Sequence, residues 1–309
     1  MGVKLLHLIN LKKLSGEQLE EVVDKSIEVK CSPEKYLKVF EGKTLAMVFQ
    51  KTSTRTRVAF EVGMAQLGGH PLYIDWRTTN FTLADIYDET QYLSRNVDFI
   101  LARLMKNSDL QRMAKAACVP VINGCDEKYH PTQAIGDLMT MKEKKGTLKE
   151  VKMLYVGIHN NVCNSLIEGC TKTGARITTF TPIINEQSRD NELIENAKKT
   201  GLWETTVDLK RAVEEADFIY TDTWINMEFF KDPSFAREKE DRIKVMQPYQ
   251  INKELLKDST GYLMHDMPIH RGYEMSGDLV EDQRSVIYEQ SQNRLYSAKA
   301  ILLKLMEWR

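Results

Sequence analysis

Short apolar runs of strand length alternate with helix-spaced stretches along almost the whole chain, and this alternation most narrows the possible fold. The runs cover residues 44–50, 71–74, 99–102, 119–123, 151–156, 175–182, 216–221 and 261–265. Between them, residues 55–67, 84–94, 191–199 and 209–215 repeat apolar side chains at helical spacing, one helix opens at Tyr129–Pro131, and another opens at Gln292. Strands that alternate with helices form parallel βαβ units, so the expected class is α/β, with two doubly wound domains of mainly parallel strands joined by helices. A length of 309 residues accommodates two such domains. Gly146 and its charged neighbours mark the expected boundary. That gives a first domain over 1–145 and a second over 146–289, with the terminal helix 290–309 packing back on the first. Residues 11–40 read as one or two surface helices that start at Ser15 or at Ser32-Pro33. Residues 75–83 read as a loop, and 229–242 as a charged, mobile, solvated segment.

In open α/β sheets, ligands collect beyond the carboxyl ends of the strands. The segment Ser53-Thr54-Arg55-Thr56-Arg57 lies at such an end, where a strand hands over to a helix. Free N–H groups and the positive end of the helix dipole make that junction an anion site. Hydroxyl donors and planar guanidinium forks suit phosphate oxygens. An ordinary N-cap needs one hydroxyl, not three interleaved with two arginines, so a phosphate or similar oxyanion is the expected ligand. Arg103 and His130 also fall just beyond strand ends. His130 and Gln133 are three residues apart, and Pro131 suits a first helical turn, so both side chains can face one ligand. Asn160 and Asn161 stand at another helix start, where they bind a polar ligand or cap the helix. Asp222 ends a strand, and a carboxylate there can orient an ammonium group or stabilise its own loop.

Composition excludes several classes. A hydrophobic content of 42%, a charged content of 28% and a net charge of −1 describe a soluble globular chain without bulk attraction to nucleic acid or membrane. No run approaches the ~20 apolar residues of a membrane helix, and the amino terminus has no signal-peptide pattern. The odd count of five cysteines, with no CxxC pair, points to reduced thiols and a cytoplasmic protein. The loop after Gly157 lacks G-x-G-x-x-G, which argues against a dinucleotide enzyme. No metal cluster is visible, and no cofactor is expected.

The segment from Phe49 to Gly69 resembles the carbamoyl-phosphate loop of the transcarbamylases, the aspartate and ornithine carbamoyltransferase family. His130-Pro131-Thr132-Gln133 resembles the family's His-Pro-x-Gln element. Lys51-Thr52, Asn160-Asn161 and Asp222-Thr223-Trp224 resemble the ornithine branch, and the likeness runs in matching order over nearly the whole chain. The resemblance implies transfer of a carbamoyl group from carbamoyl phosphate to the side-chain amine of L-ornithine, giving L-citrulline and phosphate. It assigns Ser53, Thr54, Arg55 and Arg103 to the phosphate, and Thr56, Arg103 and His130 to the carbonyl oxygen. Gln133, Arg294 and the Met267 carbonyl are assigned to the carbamoyl group. Asn161, Asp222, Asn226, Met227 and Asp266 are assigned to the second substrate. The chain departs from the ornithine pattern where Asn226-Met227-Glu228 stands for Ser-Met-Gly and Asp266-Met267 for Cys-Leu. Putrescine is therefore the alternative acceptor, and a non-catalytic relative that keeps only the phosphate site is a third possibility. The family implies a homotrimer, or a multiple of trimers.

Overall fold

The computed structural model describes residues 5–225, 230 and 232–308. Asn226, Met227 and Glu228, expected near the second substrate, lie outside the described residues. Two compact units divide the chain: one comprises residues 1–139 and 292–309, the other residues 140–291. Each crossing therefore falls inside a helix, α5 (Pro131–Lys145) or α10 (Ile287–Glu307).

The first unit holds β1 (Thr44–Phe49), α2 (Arg55–Gln66), β2 (His70–Asp75), α3 (Ile86–Leu93), β3 (Phe99–Arg103), α4 (Asn107–Ala116) and β4 (Val121–Cys125), preceded by α1 (Gly16–Cys31). Its four strands run parallel in the order β2-β1-β3-β4. Strands covered on both faces read as continuous apolar runs, and Leu45 to Phe49 of β1 are all buried. The helix after it is one-sided: Thr56, Ala59, Phe60, Gly63 and Met64 are buried, while Val58 and Val62 face outward. Burying a side chain such as Phe60 or Met64 contributes about 1.5–3 kcal/mol, so the face, more than propensity, holds this helix.

The second unit holds β5 (Lys152–His159), α6 (Asn161–Lys172), β6 (Arg176–Ile184), α7 (Asn191–Thr200), β7 (Trp203–Thr205), α8 (Leu209–Glu215), β8 (Phe218–Thr221), α9 (Ala236–Met246) and β9 (Tyr262–His265). Its strands are parallel in the order β7-β6-β5-β8-β9. Leu154, Val156, Ile219 and Leu263 pack with Met275 and Ile287 in its core.

Several expectations need correction. Among the described residues of the segment 229–242, Pro233–Phe235 forms a 3-10 turn and α9 follows, so the segment is helical. Its charges are largely exposed, but Met246 is buried and Ile243 packs on Ile158, Trp224 and Ile225. The two apolar anchors sit three residues apart on a helix that is otherwise charged, too sparse a stripe to stand out in the sequence. Helix α10 starts at Ile287, five residues before the sequence-predicted Gln292. Helix α4, whose buried Leu110, Met113 and Ala116 recur at helical spacing, and the three-residue edge strand β7 were not anticipated. The region 11–40 contains one α-helix capped by Ser15 and a 3-10 turn, Pro33–Tyr36. The loop 75–83 carries two 3-10 turns.

Candidate active site

In a doubly wound sheet the crevice opens where the strand order reverses. In the first unit that point lies between β1 and β3, whose ends Phe49 and Arg103 pair directly. The chain leaves β1 through Lys51–Thr54 and enters α2 at Arg55, while Arg103 closes β3. The sheet thus brings the Ser53–Arg55 turn and Arg103 to one crevice, although 48 positions separate Arg55 from Arg103 (103 − 55).

Within the turn, Thr54 occupies the N-cap position but makes no side-chain cap bond. Ser53 caps instead, its Oγ accepting from the Thr56 N–H at 3.3 Å. Ser53 keeps its O–H, and the half-buried Arg55 opens the helix. The second guanidinium of the motif behaves differently. Arg57 pairs with Glu61 at 2.8 Å and lies 3.7 Å over the Tyr73 ring, a solvated arrangement one turn along the helix.

Thr56 is fully buried, and its Oγ1 accepts from Nη2 of Arg294 at 2.8 Å. That leaves the Thr56 O–H to donate. Gly124 lets β4 approach: a Cβ there would stand 3.3 Å from Cγ2 of Thr56. Gly136 does the same for α10, since a Cβ would stand 3.4 Å from Cγ of Arg294. Arg103 donates from Nη1 to the Gly124 carbonyl at 3.1 Å, and its buried Nε has no hydrogen-bond partner.

His130 is buried at the start of α5, where its carbonyl accepts from the N–H groups of Gln133 and Ala134. Burial first, then the positive charges of Arg294, Arg103, Lys51 and Arg55, hold its pKa well below the ordinary 6.5. The imidazole is therefore neutral at pH 7, and four cations surround it. The turn before it is fixed by Asp126, which the motif search passed over. Its carboxylate accepts from the Lys128 and Tyr129 N–H groups at 2.7 Å and from the side chains of Asn107 and Asn123 at 2.6 and 2.9 Å. Burial still pushes the Asp126 pKa up to about 6.

Gln133 has no exposed surface. Its Nε2 donates to Asp137 at 2.9 Å, which fixes the amide orientation, and its Oε1 is buried with no partner. An unsatisfied buried acceptor costs about 1–3 kcal/mol. Such an atom beside a cationic cradle fits a ligand that brings an N–H donor along with its negative charge.

The strand order of the second unit reverses between β5 and β8. Asn160 follows β5 and Asp222 follows β8, and the two join directly, Nδ2 of Asn160 donating to Oδ2 of Asp222 at 2.6 Å. The paired asparagines divide their work. Asn160 is the cap of α6, its Oδ1 accepting from Val162 and Cys163 at 3.0 Å, and Asn161 is the half-buried first helical residue. Asp222 is 2% exposed and also accepts from the Thr223 N–H at 2.6 Å. Asp266 and Met267 follow β9 and are half-buried. Burial, then the charges of Asp222, Cys163 and Asp266, push the Tyr155 hydroxyl well above its ordinary pKa. The second crevice is thus acidic where the first is basic. Among the described residues no group of three or more His, Cys, Asp or Glu is placed to hold a metal ion, and no helix is long and apolar enough to cross a membrane.

Two family models cover the chain. One, described as the aspartate/ornithine carbamoyltransferase carbamoyl-P binding domain, matches residues 6–143. The other, described as the Asp/Orn binding domain, matches residues 149–305. The chain belongs to the aspartate/ornithine carbamoyltransferase family. An ornithine carbamoyltransferase from Carboxydothermus hydrogenoformans is 40% identical over 307 residues, 96% of each chain. One from Pyrococcus horikoshii is 44% identical over 277 residues, 87% of this chain and 85% of its own. The solved ornithine carbamoyltransferase of Pyrococcus furiosus superposes with a TM-score of 0.89 at 39% identity, covering 99% of each chain.

The sequence motifs did not single out Asp126, or Asn160 as the residue that holds Asp222. The buried Asn-x-x-Asp spacing of Asn123 and Asp126 was the available signal for the first.

Proposed function

We propose that this chain moves the carbamoyl group of carbamoyl phosphate to the side-chain amine of L-ornithine, releasing L-citrulline and phosphate. The observation that carries this reading is the buried, unpartnered Oε1 of Gln133 in a unit that otherwise offers cations and hydroxyls. Carbamoyl phosphate combines the two features such a site lacks: a phosphate dianion, and an amide N–H₂ to satisfy Gln133. Ser53, Thr54, Arg55 and Arg103 hold the phosphate. Thr56, Arg103 and neutral His130 aim donors at the carbonyl oxygen, and Gln133 orients the carbamoyl nitrogen, with Arg294 fixing Thr56. The neutral amine attacks the carbonyl carbon, negative charge builds on its oxygen, the C–O bond to phosphate breaks, and the proton lost by the attacking nitrogen leaves with the phosphate. Donors preset for that oxygen supply the main stabilisation, and holding two reactants in line supplies about 7–11 kcal/mol in favourable cases. On the second-substrate side, Asp222, Asn161 and Asp266 receive the amino acid, with Asn226 and Met227 assigned to the same role by the family pattern. The family pattern assigns the Met267 backbone carbonyl to the carbamoyl amide.

Ornithine as acceptor is supported by relatives that carry the name ornithine carbamoyltransferase. Asp266, a carboxylate where the family pattern has Cys, favours putrescine as the competing acceptor. A panel of ornithine, putrescine, lysine and aspartate with carbamoyl phosphate decides between them: the expected outcome is citrulline formation, and faster turnover of putrescine overturns the choice. A homotrimer, or a multiple of it, belongs to the same reading and is measured by light scattering. So does a cytoplasmic location, supported by five free cysteines, three of them buried.

A further inference from the structure

The residues proposed for the second substrate sit on two loops, one after β8 and one after β9. A buried carboxylate further along the second of these loops joins them. Glu274 is 1% exposed and His265 fully buried. Oε1 of Glu274 lies 3.0 Å from Nε2 of His265 and accepts from the His270 N–H at 2.7 Å. The other ring nitrogen of His265, Nδ1, accepts from the Met267 N–H at 2.8 Å. An imidazole nitrogen that accepts carries no proton, so the ring proton sits on Nε2 and points at Glu274. Met267 stands at φ 60°, a left-handed conformation that a residue with a side chain keeps only when its surroundings hold it. His270 extends the chain of contacts, its Nδ1 lying 3.2 Å from Oγ1 of Thr223, the residue after Asp222.

We infer that Glu274 is a positioning residue for the second substrate: through His265 it fixes the Asp266–Met267 turn, and through His270 it fixes the Asp222–Thr223 turn. The inference rests on the proposed reading that these turns receive the acceptor amine. The carboxylate touches no substrate. It acts by holding one ring tautomer and one backbone N–H, as outer-shell carboxylates do for other histidines. Misplacement of such groups by about 1 Å costs about 100-fold, and this sets the scale of the effect.

Three variants and one spectrum test it. Glu274→Leu removes the acceptor and should raise KM for ornithine by about 10- to 100-fold, clearly more than it raises KM for carbamoyl phosphate. Glu274→Gln keeps an acceptor oxygen and should recover most of the loss. An unchanged ornithine KM in Glu274→Leu, or equal rises in both KM values, overturns the inference. Should Glu274→Leu fail to fold, Thr223→Val cuts the His270 arm at a half-buried hydroxyl. It should raise KM for ornithine alone, and no rise overturns the inference. Nitrogen-15 correlation spectra of the wild type should show His265 protonated at Nε2, and protonation at Nδ1 overturns the inference independently of any activity. Wild-type protein that carbamoylates no ornithine would sink the functional reading instead, while the tautomer measurement in wild type and Glu274→Leu would still decide the local claim.

Discussion

The two crevices use the same topological device with opposite charge. In the first unit Lys51, Arg55, Arg103 and Arg294 all depress the pKa of a buried histidine. In the second, Asp222 and Asp266 both raise that of a buried tyrosine. Burial is the larger cause of both shifts, and the neighbouring charges add to it, cationic around His130 and anionic around Tyr155. Gln133 and Asp222 also differ: Oε1 of Gln133 is buried without a partner, while Asp222 accepts from both Asn160 and Thr223. A buried open valence fits a ligand, and a carboxylate already bonded has its orientation set in advance.

The sharpest way to break this contrast is Arg55→Ala. It should lower kcat/KM by about 1,000-fold or more, beyond the 100- to 1,000-fold typical of one oxyanion donor, because binding and leaving-group charge both suffer. Circular dichroism should be unchanged, and near-normal citrulline formation would remove the cradle from the mechanism. His130→Gln comes next, with kcat down about 100- to 1,000-fold at little change in KM for carbamoyl phosphate. Asp222→Asn should show the reverse pattern, raising KM for the amine by about 10- to 100-fold while calorimetric affinity for carbamoyl phosphate stays constant. If it weakened both substrates equally, the division of labour would fail.

A smaller effect concerns pH. The folded pKa of His130 lies below its unfolded value of 6.5, so below that pH the unfolded chain binds a proton that the folded chain does not. Stability is fully present above about pH 6.5 and falls as pH drops, by at most about 1.4 kcal/mol per pH unit for one such proton. Urea titrations of His130→Gln should show a shallower acid slope than wild type. A slope remains, because His7, His159 and His270 are shifted in the same direction. The smallest effect belongs to Arg57→Ala. Its pair with Glu61 is exposed and screened by solvent, and turnover should change less than about 3-fold. A large loss there would return the second arginine to the site.

Arg55 and Arg57 also show how far local sequence reaches. Both looked alike as guanidiniums among hydroxyls, yet two positions on a helix turn a side chain by roughly 200°, and only the placement of β2 and Tyr73 decided which one became solvated. The asparagine pair behaves in the same way: adjacency in sequence concealed one cap and one first-turn residue. The charged helix α9 was illegible because two apolar contacts, Ile243 and Met246, order eleven residues.

Alternating apolar runs determined the fold class, and the hydroxyl–arginine turn and the His130–Gln133 spacing pointed to an anionic ligand, because periodicity and capping are properties of neighbouring residues. Tertiary structure decided the strand orders that set the end of β1 beside Arg103 and Asn160 beside Asp222. It also decided that Arg294, 238 residues away, would hold Thr56, and that Glu274 would hold His265. Those pairings join donors and acceptors far apart along the chain, and burial makes them obligatory only once the core has closed around them.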